Sequence, residues 1–158
     1  MENLKQFTVR VYGILVHNSK ILISHERYKG KEFSKFPGGG LQLGEGVLDG
    51  LKREFKEEMD IDIIPSYLFH VTESMQVSTF HPDSQVIALY YIVLCDEIEK
   101  ISISSVLDPD AEKGESLEWI ALTDFNKEIL TFESDREAAG KLFDKPLSPS
   151  RVSNPGRA

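Results

Sequence analysis

The sequence predicts an α+β fold, and three observations lead to this prediction. The 158 residues match the usual length of one domain. Apolar segments with the pattern of β-strands are mixed with two amphipathic segments of helical spacing. These strands and helices lack the regular alternation of a doubly wound parallel sheet, so α+β is favoured. We expect one domain over residues 1–143 and a flexible tail over 144–158, where three prolines and three serines lack apolar periodicity.

Composition and charge argue against several classes of partner. A formal net charge of −8 disfavours a nucleic-acid backbone or an anionic membrane as the main partner. Cys95 is the single cysteine, so no internal disulfide can form and a reducing compartment is favoured. The first residues lack the pattern of a secretory signal, and no apolar run approaches the ~20 residues of a membrane span. We therefore expect a cytoplasmic protein.

The first part of the chain predicts a β-hairpin followed by a loop. Apolar residues alternate at 7, 9 and 11 and then run continuously through 14–16, as in a strand that becomes buried on both faces. A polar turn leads into a second strand that starts at Ile21. Residues 26–35 are expected to form a polar loop that carries basic and aromatic side chains.

A run of three glycines comes next. Gly38, Gly39 and Gly40 follow Pro37, and glycine permits both positive φ and close approach of a ligand to the backbone. Such a loop can turn its carbonyls toward a metal ion or its amides toward a phosphate. It also leads toward the N-terminal end of a helix, where an anion is favoured.

Residues 47–59 predict a helix with a core face, an acidic face and a solvated face. The apolar side chains fall within one arc of about 120°, and they are Val47, Leu48, Leu51, Phe55 and Met59. Glu54, Glu57 and Glu58 share a neighbouring arc, while the lysines of the helix point away. If half-buried about 6 Å apart, each pair of carboxylates would cost roughly 3 kcal/mol. With nothing on that arc expected to relieve the repulsion, a divalent cation such as Mg²⁺, Mn²⁺ or Ca²⁺ is the predicted partner.

The remaining sequence predicts three strands and one helix. Strands are expected at 67–71, 85–95 and 117–122, and most of 97–116 is expected to be loop. The last helix is predicted over residues 133–143. The predicted strands therefore outnumber the predicted helices.

The spacing around the glycine run and the first helix resembles the Nudix box, Gly-x5-Glu-x7-Arg-Glu-U-x-Glu-Glu-x-Gly-U, in which U is a bulky apolar residue. Gly39 is followed after five residues by Glu45, and after seven more by Arg53-Glu54-Phe55-Lys56-Glu57-Glu58-Met59-Asp60-Ile61. Asp60 stands where the family usually has glycine, and aspartate tolerates left-handed backbone geometry better than most residues. The resemblance, to MutT-like and ADP-ribose pyrophosphatase-like proteins, implies an α/β/α sandwich with a mixed central sheet.

The resemblance also implies roles for individual residues of the box. The implied metal ligands are the carbonyl of Gly38 and the carboxylates of Glu54, Glu57 and Glu58. Glu45 and Arg53 match positions that orient the acidic cluster through a salt bridge. Gly39 and Gly40 are expected to lie against the bound ligand.

The general base stays open between two positions. Some members of the family use a box glutamate, which here is Glu54. Others use a carboxylate that precedes the late strand, where Glu112, Glu115 and Glu118 stand. Glu115, directly after a glycine, is the preferred candidate.

Contacts with the substrate are predicted from the segment after the second strand. Arg27 is expected to grip a phosphate, with an ordinary surface arginine as the alternative. Tyr28, Phe33 or Phe36 can stack on a base, although Phe36 is better suited to core packing.

The function implied is Mg²⁺-dependent pyrophosphohydrolysis, with Mn²⁺ as a substitute metal. Water would attack a phosphorus of a nucleotide sugar, ADP-ribose or a nucleoside triphosphate, and Mg²⁺ would bridge an acidic chain to an acidic substrate. The alternatives are a Nudix-like module that senses a nucleotide without cleaving it, and an acidic domain that binds Ca²⁺ structurally. The expected partner is a small nucleotide rather than nucleic acid or a membrane, and the family resemblance leaves a homodimer open.

Overall fold

A computed structural model describes residues 3–103 and 113–144 of the chain. Within these ranges the chain forms eight strands, two α-helices and two single turns of 3₁₀ helix. The strands are β1 (Gln6–His17), β2 (Lys20–Tyr28), β3 (Lys31–Lys35), β4 (Gly38–Gly40), β5 (Ile64–Val71), β6 (Gln76–Val77), β7 (Ser84–Leu94) and β8 (Gly114–Ala121). The helices are α1 (Val47–Met59) and α2 (Glu133–Asp144).

The strands form a mixed sheet, as the resemblance implies. Its main order is β3-β2-β1-β7-β5, and β4, β6 and β8 join it beside β1, β7 and β2 respectively. The two long strands β1 and β7 run parallel over ten residue pairs, whereas the other pairings are antiparallel. β4 and the start of β2 therefore both pair with β1, and β8 pairs with β2 over eight residue pairs.

Two apolar clusters lie on opposite faces of the sheet. Leu51, Phe55 and Met59 of α1 pack with one cluster, and Ala138 and Leu142 of α2 pack with the other. Alternate residues of β2 divide between the clusters, with Ile21 and Ile23 facing α2 and Leu22 facing α1. This arrangement is an α+β sandwich with helices on both faces, which confirms the predicted fold class.

The first helix spans the residues that its periodicity predicts. Leu51 and Phe55 are fully buried, but Leu48, which the same arc places on the core face, is 43% exposed. Periodicity gives the angle of a side chain around the helix axis and not its position along that axis, and the first turn lies at the edge of the core. At the other end Asp60 has φ of 53° and its N–H donates to the carbonyl of Lys56, so the expected left-handed geometry is confirmed.

The segment 26–35, expected to be a loop, is mostly strand. β2 continues to Tyr28 and pairs with β3 from Tyr28↔Lys31 to Ser24↔Lys35. The turn between them is Lys29-Gly30, where both residues have positive φ. Such two-residue turns match the twist of a hairpin, but lysine in the first position is a weak sequence signal for one.

Two further segments are more regular than expected. The glycine run forms β4 and pairs with β1 through Tyr12↔Gly38 to Arg10↔Gly40. β8 begins at Gly114 rather than at 117, because β2 extends far enough to pair with it there. Glu115 therefore lies in a strand and not in a loop. Asp144, the first residue of the expected tail, is the last residue of α2. Residue 112 and the rest of the tail, residues 145–158, lie outside the described residues.

The two α-helices are both too short to cross a membrane, and no other segment of the described ranges forms an apolar helix of sufficient length.

Candidate active site

A cavity of about 1150 Å³ opens beside the C-terminal half of α1. Its walls come from β1, β2 and β8, from the segment 74–81 and from the start of α2. Carboxylates, aromatic rings and basic groups are among the side chains that line it. They belong to Arg10, Glu26, Arg27, Tyr28, Phe33, Glu58, Phe80, Lys113, Glu115 and Phe132.

Three carboxylates converge at one end of the cavity, and we call them the cavity cluster: Glu26, Glu58 and Glu115. One oxygen of each lies within 4.8 Å of the others. Glu26 of β2 and Glu115 of β8 are directly opposed in the antiparallel ladder, and Glu58 comes from α1. The hydroxyl of Ser24 donates to Glu26 at 3.2 Å and to Glu115 at 3.3 Å. Like charges directly opposed in a sheet repel each other, so the cluster requires positive charge nearby.

The electrostatics of Glu58 fit a hard divalent cation. Its Oε2 is buried and has no hydrogen-bond partner among residues 3–103 and 113–144. Burial raises the pKa of Glu58 far above its ordinary value, the ammonium of Lys35 opposes this shift, and Glu115 and Glu26 add to it. Burial and Glu26 likewise raise the pKa of Glu115. Oxygen ligands from three carboxylates are the donor set that Mg²⁺, Mn²⁺ or Ca²⁺ prefers.

A second acidic group surrounds Arg53, and we call it the arginine cluster: Arg53 with Glu45, Glu54 and Glu57. The guanidinium binds Glu45 through two hydrogen bonds, from Nε at 2.9 Å and from Nη2 at 2.7 Å. Its Nη1 donates to Glu54 at 2.9 Å and to Glu57 at 3.1 Å, and Nη2 also donates to the carbonyl of Gly40. The hydrogen bonds from Arg53 and from the backbone of Gln42 lower the pKa of Glu45 to about 2.

The pairing of Arg53 with two helix glutamates shows that one prediction from the sequence is wrong. Nothing on the acidic arc of the helix was expected to relieve the repulsion between its glutamates. The long side chain of Arg53 instead bends across and pairs with both Glu54 and Glu57. Repulsion that no residue of the box relieves remains only at Glu58, which faces Glu26 and Glu115.

The glycine strand β4 contacts Glu54 of the arginine cluster and Lys35, which pairs with Glu26 of the cavity cluster. A Cβ atom at Gly39 would lie 2.6 Å from the carboxyl atoms of Glu54, so a larger residue there would displace that carboxylate. Gly38 has φ of 140°, and its carbonyl accepts a hydrogen bond from the Nζ of Lys35 at 2.8 Å. The carbonyl expected to bind metal therefore already accepts a hydrogen bond from an ammonium group.

The predicted site residues thus fall into two places. Glu58, Glu115 and Arg27 line the cavity. The other predicted residues lie against the arginine cluster or β4, and they are Gly38, Gly39, Gly40, Glu45, Arg53, Glu54 and Glu57. Arg27 pairs with Glu32 on the neighbouring strand.

Sequence reasoning missed Glu26, Ser24 and Lys35. Leu22, Ser24 and Glu26 alternate along one face of β2, which is the face that packs toward α1. Extending the second strand by a few residues would have placed Glu26 beside the box helix. Because residues 26–35 were expected to form a loop, the alternation along β2 was not followed as far as Glu26.

Several aromatic rings contact one another in the wall of the cavity. The ring of Phe80 lies 5.3 Å from Tyr28 and 5.3 Å from Phe33, and Phe33 lies 5.3 Å from Phe132, between ring centroids. The Nζ of Lys113 lies 5.4 Å from the centroid of the Tyr28 ring. Phe36, by contrast, is fully buried in the core, which agrees with the duty expected for it.

Comparison with known proteins gives the family. A model of the NUDIX domain matches residues 7–142. The chain is 25% identical over 157 residues to Nudix hydrolase 2 of Arabidopsis thaliana, covering 90% of this chain and 51% of that protein. It is 31% identical over 116 residues to an RNA pyrophosphohydrolase of Campylobacter jejuni, covering 66% of this chain and 74% of that protein. The chain therefore spans about half the length of the Arabidopsis relative.

Solved structures agree with the fold. A MutT NUDIX hydrolase from Burkholderia pseudomallei superposes with a TM-score of 0.65 at 22% identity, covering 87% of this chain and 99% of that chain. Identity at this level supports the fold alone. The family model, however, covers most of the chain and includes both clusters described above, and the spacing from Gly39 to Ile61 follows the box. The chain belongs to the Nudix family.

Proposed function

We propose that this protein is a Mg²⁺-dependent pyrophosphohydrolase that cleaves the diphosphate linkage of a nucleotide derivative, with Mn²⁺ as a substitute metal. The observation that carries the proposal is the buried Oε2 of Glu58, which has no hydrogen-bond partner in the described part of the chain, in a carboxylate that groups with Glu26 and Glu115 beside an open cavity. A buried carboxylate oxygen without a partner is costly unless a ligand or ion binds it.

The residues that would hold the metal come from both clusters. Glu58 and Glu26 offer oxygens toward the cavity, next to Glu115. Glu54 and Glu57, which the family box also implies as ligands, are held by Arg53 on the adjacent part of the same helix. When bound, a divalent ion would lower the pKa of a water molecule and neutralise charge on the leaving phosphate.

Glu115 is the proposed general base. Its carboxylate lies on the cavity side of β8, is hydrogen-bonded by Ser24 and has a raised pKa caused by burial and by Glu26. A carboxylate with a raised pKa accepts a proton from water more readily. Glu54 is the weaker candidate because its Oε1 already accepts a hydrogen bond from Arg53.

The rest of the cavity suits a nucleotide. Tyr28, Phe33 and Phe80 offer apolar ring surface in the cavity wall, which is suited to an aromatic base. Arg10 and Arg27 line the walls, where their cationic groups can bind phosphate oxygens. Nucleotide sugars, ADP-ribose and nucleoside triphosphates all have this combination of groups.

The test is a hydrolysis screen with and without Mg²⁺. The panel contains nucleotide sugars, ADP-ribose, dinucleoside polyphosphates, deoxynucleoside triphosphates and a 5′-triphosphorylated RNA, the last because of the name of the Campylobacter relative. We expect turnover of at least one small nucleotide with Mg²⁺, partial replacement by Mn²⁺, and loss of activity with a chelator. Tight nucleotide binding without turnover on any substrate would favour the sensing module instead, and turnover of RNA alone would overturn the expected preference for small nucleotides.

A further inference from the structure

A lysine outside the family box lies directly beneath the cavity cluster. The side chain of Lys35 is 2% exposed. Its Nζ lies 2.6 Å from Oε1 of Glu26 and 2.8 Å from the carbonyl oxygen of Gly38. The ring centroid of Tyr12 lies 5.7 Å from the same nitrogen. The ammonium is thus enclosed by oxygen atoms and one aromatic ring.

Packing alone does not explain a lysine at this position. A buried ammonium loses its hydration, and an apolar side chain of similar length would fill the same space at lower cost. The Nζ of Lys35 lies at ion-pair distance from the Glu26 carboxylate and donates to the Gly38 carbonyl. These contacts are those of a positively charged ammonium group inside the protein.

The contacts of Lys35 are those that a metal ion would make. The Gly38 carbonyl is the backbone ligand that the box implies, and Glu26 belongs to the cavity cluster. An ammonium that donates to both oxygens occupies the space between them. Glu58, whose buried Oε2 has no hydrogen-bond partner among the described residues, is one of the residues that line the cavity.

We propose that Lys35 is a fixed internal cation that balances the charge of Glu26, so that the fold tolerates the cavity cluster without a divalent ion. Lys35 acts as a positioning residue, because it holds Glu26 and the Gly38 carbonyl and leaves the cavity side of the cluster for the metal. The metal part of this inference rests on the proposed function, whereas the balance of charge between Lys35 and Glu26 does not.

The test compares thermal unfolding of Lys35→Met in a chelator and in saturating Mg²⁺. Removing one partner of a buried ion pair is strongly destabilising, so we expect the Tm in chelator to fall by on the order of 10 °C. Mg²⁺ should restore most of this loss, because the ion replaces the missing charge. Leu22→Ala, a cavity-forming change in the adjacent core, is the matched control, and its loss should be the same with and without Mg²⁺.

A second pair of variants tests the charge balance without metal. In chelator, Lys35→Met combined with Glu26→Gln should be more stable than Lys35→Met alone, because both partners of the pair are then neutral. If Lys35→Met does not fold, the double variant is compared with Glu26→Gln, and it should be at least as stable. Equal losses in chelator and Mg²⁺, or no gain from the double variant, would overturn the inference.

The two proposals fail in different ways. A wild-type chain that hydrolyses nothing in the screen overturns the proposed function and leaves the comparison of Lys35 and Glu26 variants in chelator valid. A wild-type chain that hydrolyses nucleotides while Lys35→Met behaves like Leu22→Ala overturns only the role of Lys35.

Discussion

The two acidic clusters are similar in composition, but the pKa values of Glu45 in one and of Glu58 in the other are shifted in opposite directions. Each groups three carboxylates near one cation, Arg53 in the arginine cluster and Lys35 in the cavity cluster. In the first, the pKa of Glu45 is lowered to about 2 by hydrogen bonds from Arg53 and Gln42. In the second, burial and neighbouring carboxylates raise the pKa of Glu58. The carboxylates of the arginine cluster are therefore paired by the chain itself, whereas in our proposal a divalent ion completes the cavity cluster.

The difference follows from how each cluster is assembled. The arginine cluster comes from the box helix and the loop just before it, and a bidentate guanidinium–carboxylate pair fixes its geometry. The cavity cluster comes from β2, α1 and β8 and depends on the register of the sheet. Residues close in sequence thus orient the glutamates of the arginine cluster. The pairing of distant strands brings the carboxylates of the cavity cluster together, as a divalent-ion site requires.

The largest effect should come from Glu58→Gln. This change removes the charge of the unpartnered carboxylate, so we expect kcat/KM with Mg²⁺ to fall on the order of 10³-fold, comparable to the removal of a directly participating group. The folded state should not lose stability, because a buried carboxylate without a partner becomes a neutral amide. Steady-state kinetics and thermal unfolding measure the two effects. The exposed Glu99 gives a matched control, Glu99→Gln, which should be silent in both.

Near-normal turnover of Glu58→Gln at saturating Mg²⁺ would contradict this prediction. The cavity cluster would then not be the group of carboxylates on which activity depends.

The next effect should come from Arg53→Ala. Loss of the guanidinium frees Glu45, Glu54 and Glu57 from one another without removing any carboxylate. Outer-shell partners of metal ligands typically contribute 10- to 100-fold, so we expect a fall of about that size in kcat/KM together with a higher half-saturating Mg²⁺ concentration. Titration of activity with Mg²⁺ measures both, and Lys52→Ala on the exposed face is the control. A loss as large as that of Glu58→Gln would mean that the two clusters act as one unit.

The two clusters should also respond to pH with opposite signs in the chelated protein. The folded-state pKa of Glu58 is raised, so its contribution to stability is present at low pH and is lost as the pH rises above 4.5 through the raised value. The folded-state pKa of Glu45 is lowered to about 2, so its contribution is present above 4.5 and is lost as the pH falls toward 2.

Thermal unfolding as a function of pH checks this pair of signs. Glu58→Gln should flatten the decline of Tm at neutral and alkaline pH, and Glu45→Gln should flatten the decline at acid pH. Mg²⁺ should reproduce the effect of Glu58→Gln in the wild-type chain, since it favours the ionised carboxylate. The same pH profile for both variants would contradict the electrostatic distinction between the clusters.

These expectations show which parts of the molecule can be predicted from sequence. The periodicity of α1 and the spacing from Gly39 to Arg53 are local, so the helix bounds, the fold class and the family followed from them. Glu26 and Lys35 could not be placed, because each reaches the site through the register of a hairpin. That register depends on the turn at Lys29-Gly30, which has little signal in the sequence. Non-local strand pairing therefore limits the prediction of the site more than that of the fold.

The smallest effect tests whether the end of the box helix matters to either cluster. Asp60 has φ of 53° and its side chain is 90% exposed, in a conformation where glycine avoids the steric cost of a Cβ. Asp60→Gly relieves that cost but increases the entropy of the unfolded chain and removes an exposed ion pair with Lys56, so we expect a gain of only about 0.5 kcal/mol in the free energy of unfolding.

Asp62→Gly separates these contributions, because Asp62 also contacts Lys56 but is not among the described residues with positive φ. It should lose stability where Asp60→Gly gains it, as measured by urea unfolding. Neither change should alter kcat/KM, because Glu58 is held by burial beside Glu26 and Glu115 rather than by the helix end. A change in kcat/KM with Asp60→Gly alone would show that the helix end positions Glu58, and the cavity cluster would then depend on the local geometry of the box as the arginine cluster does.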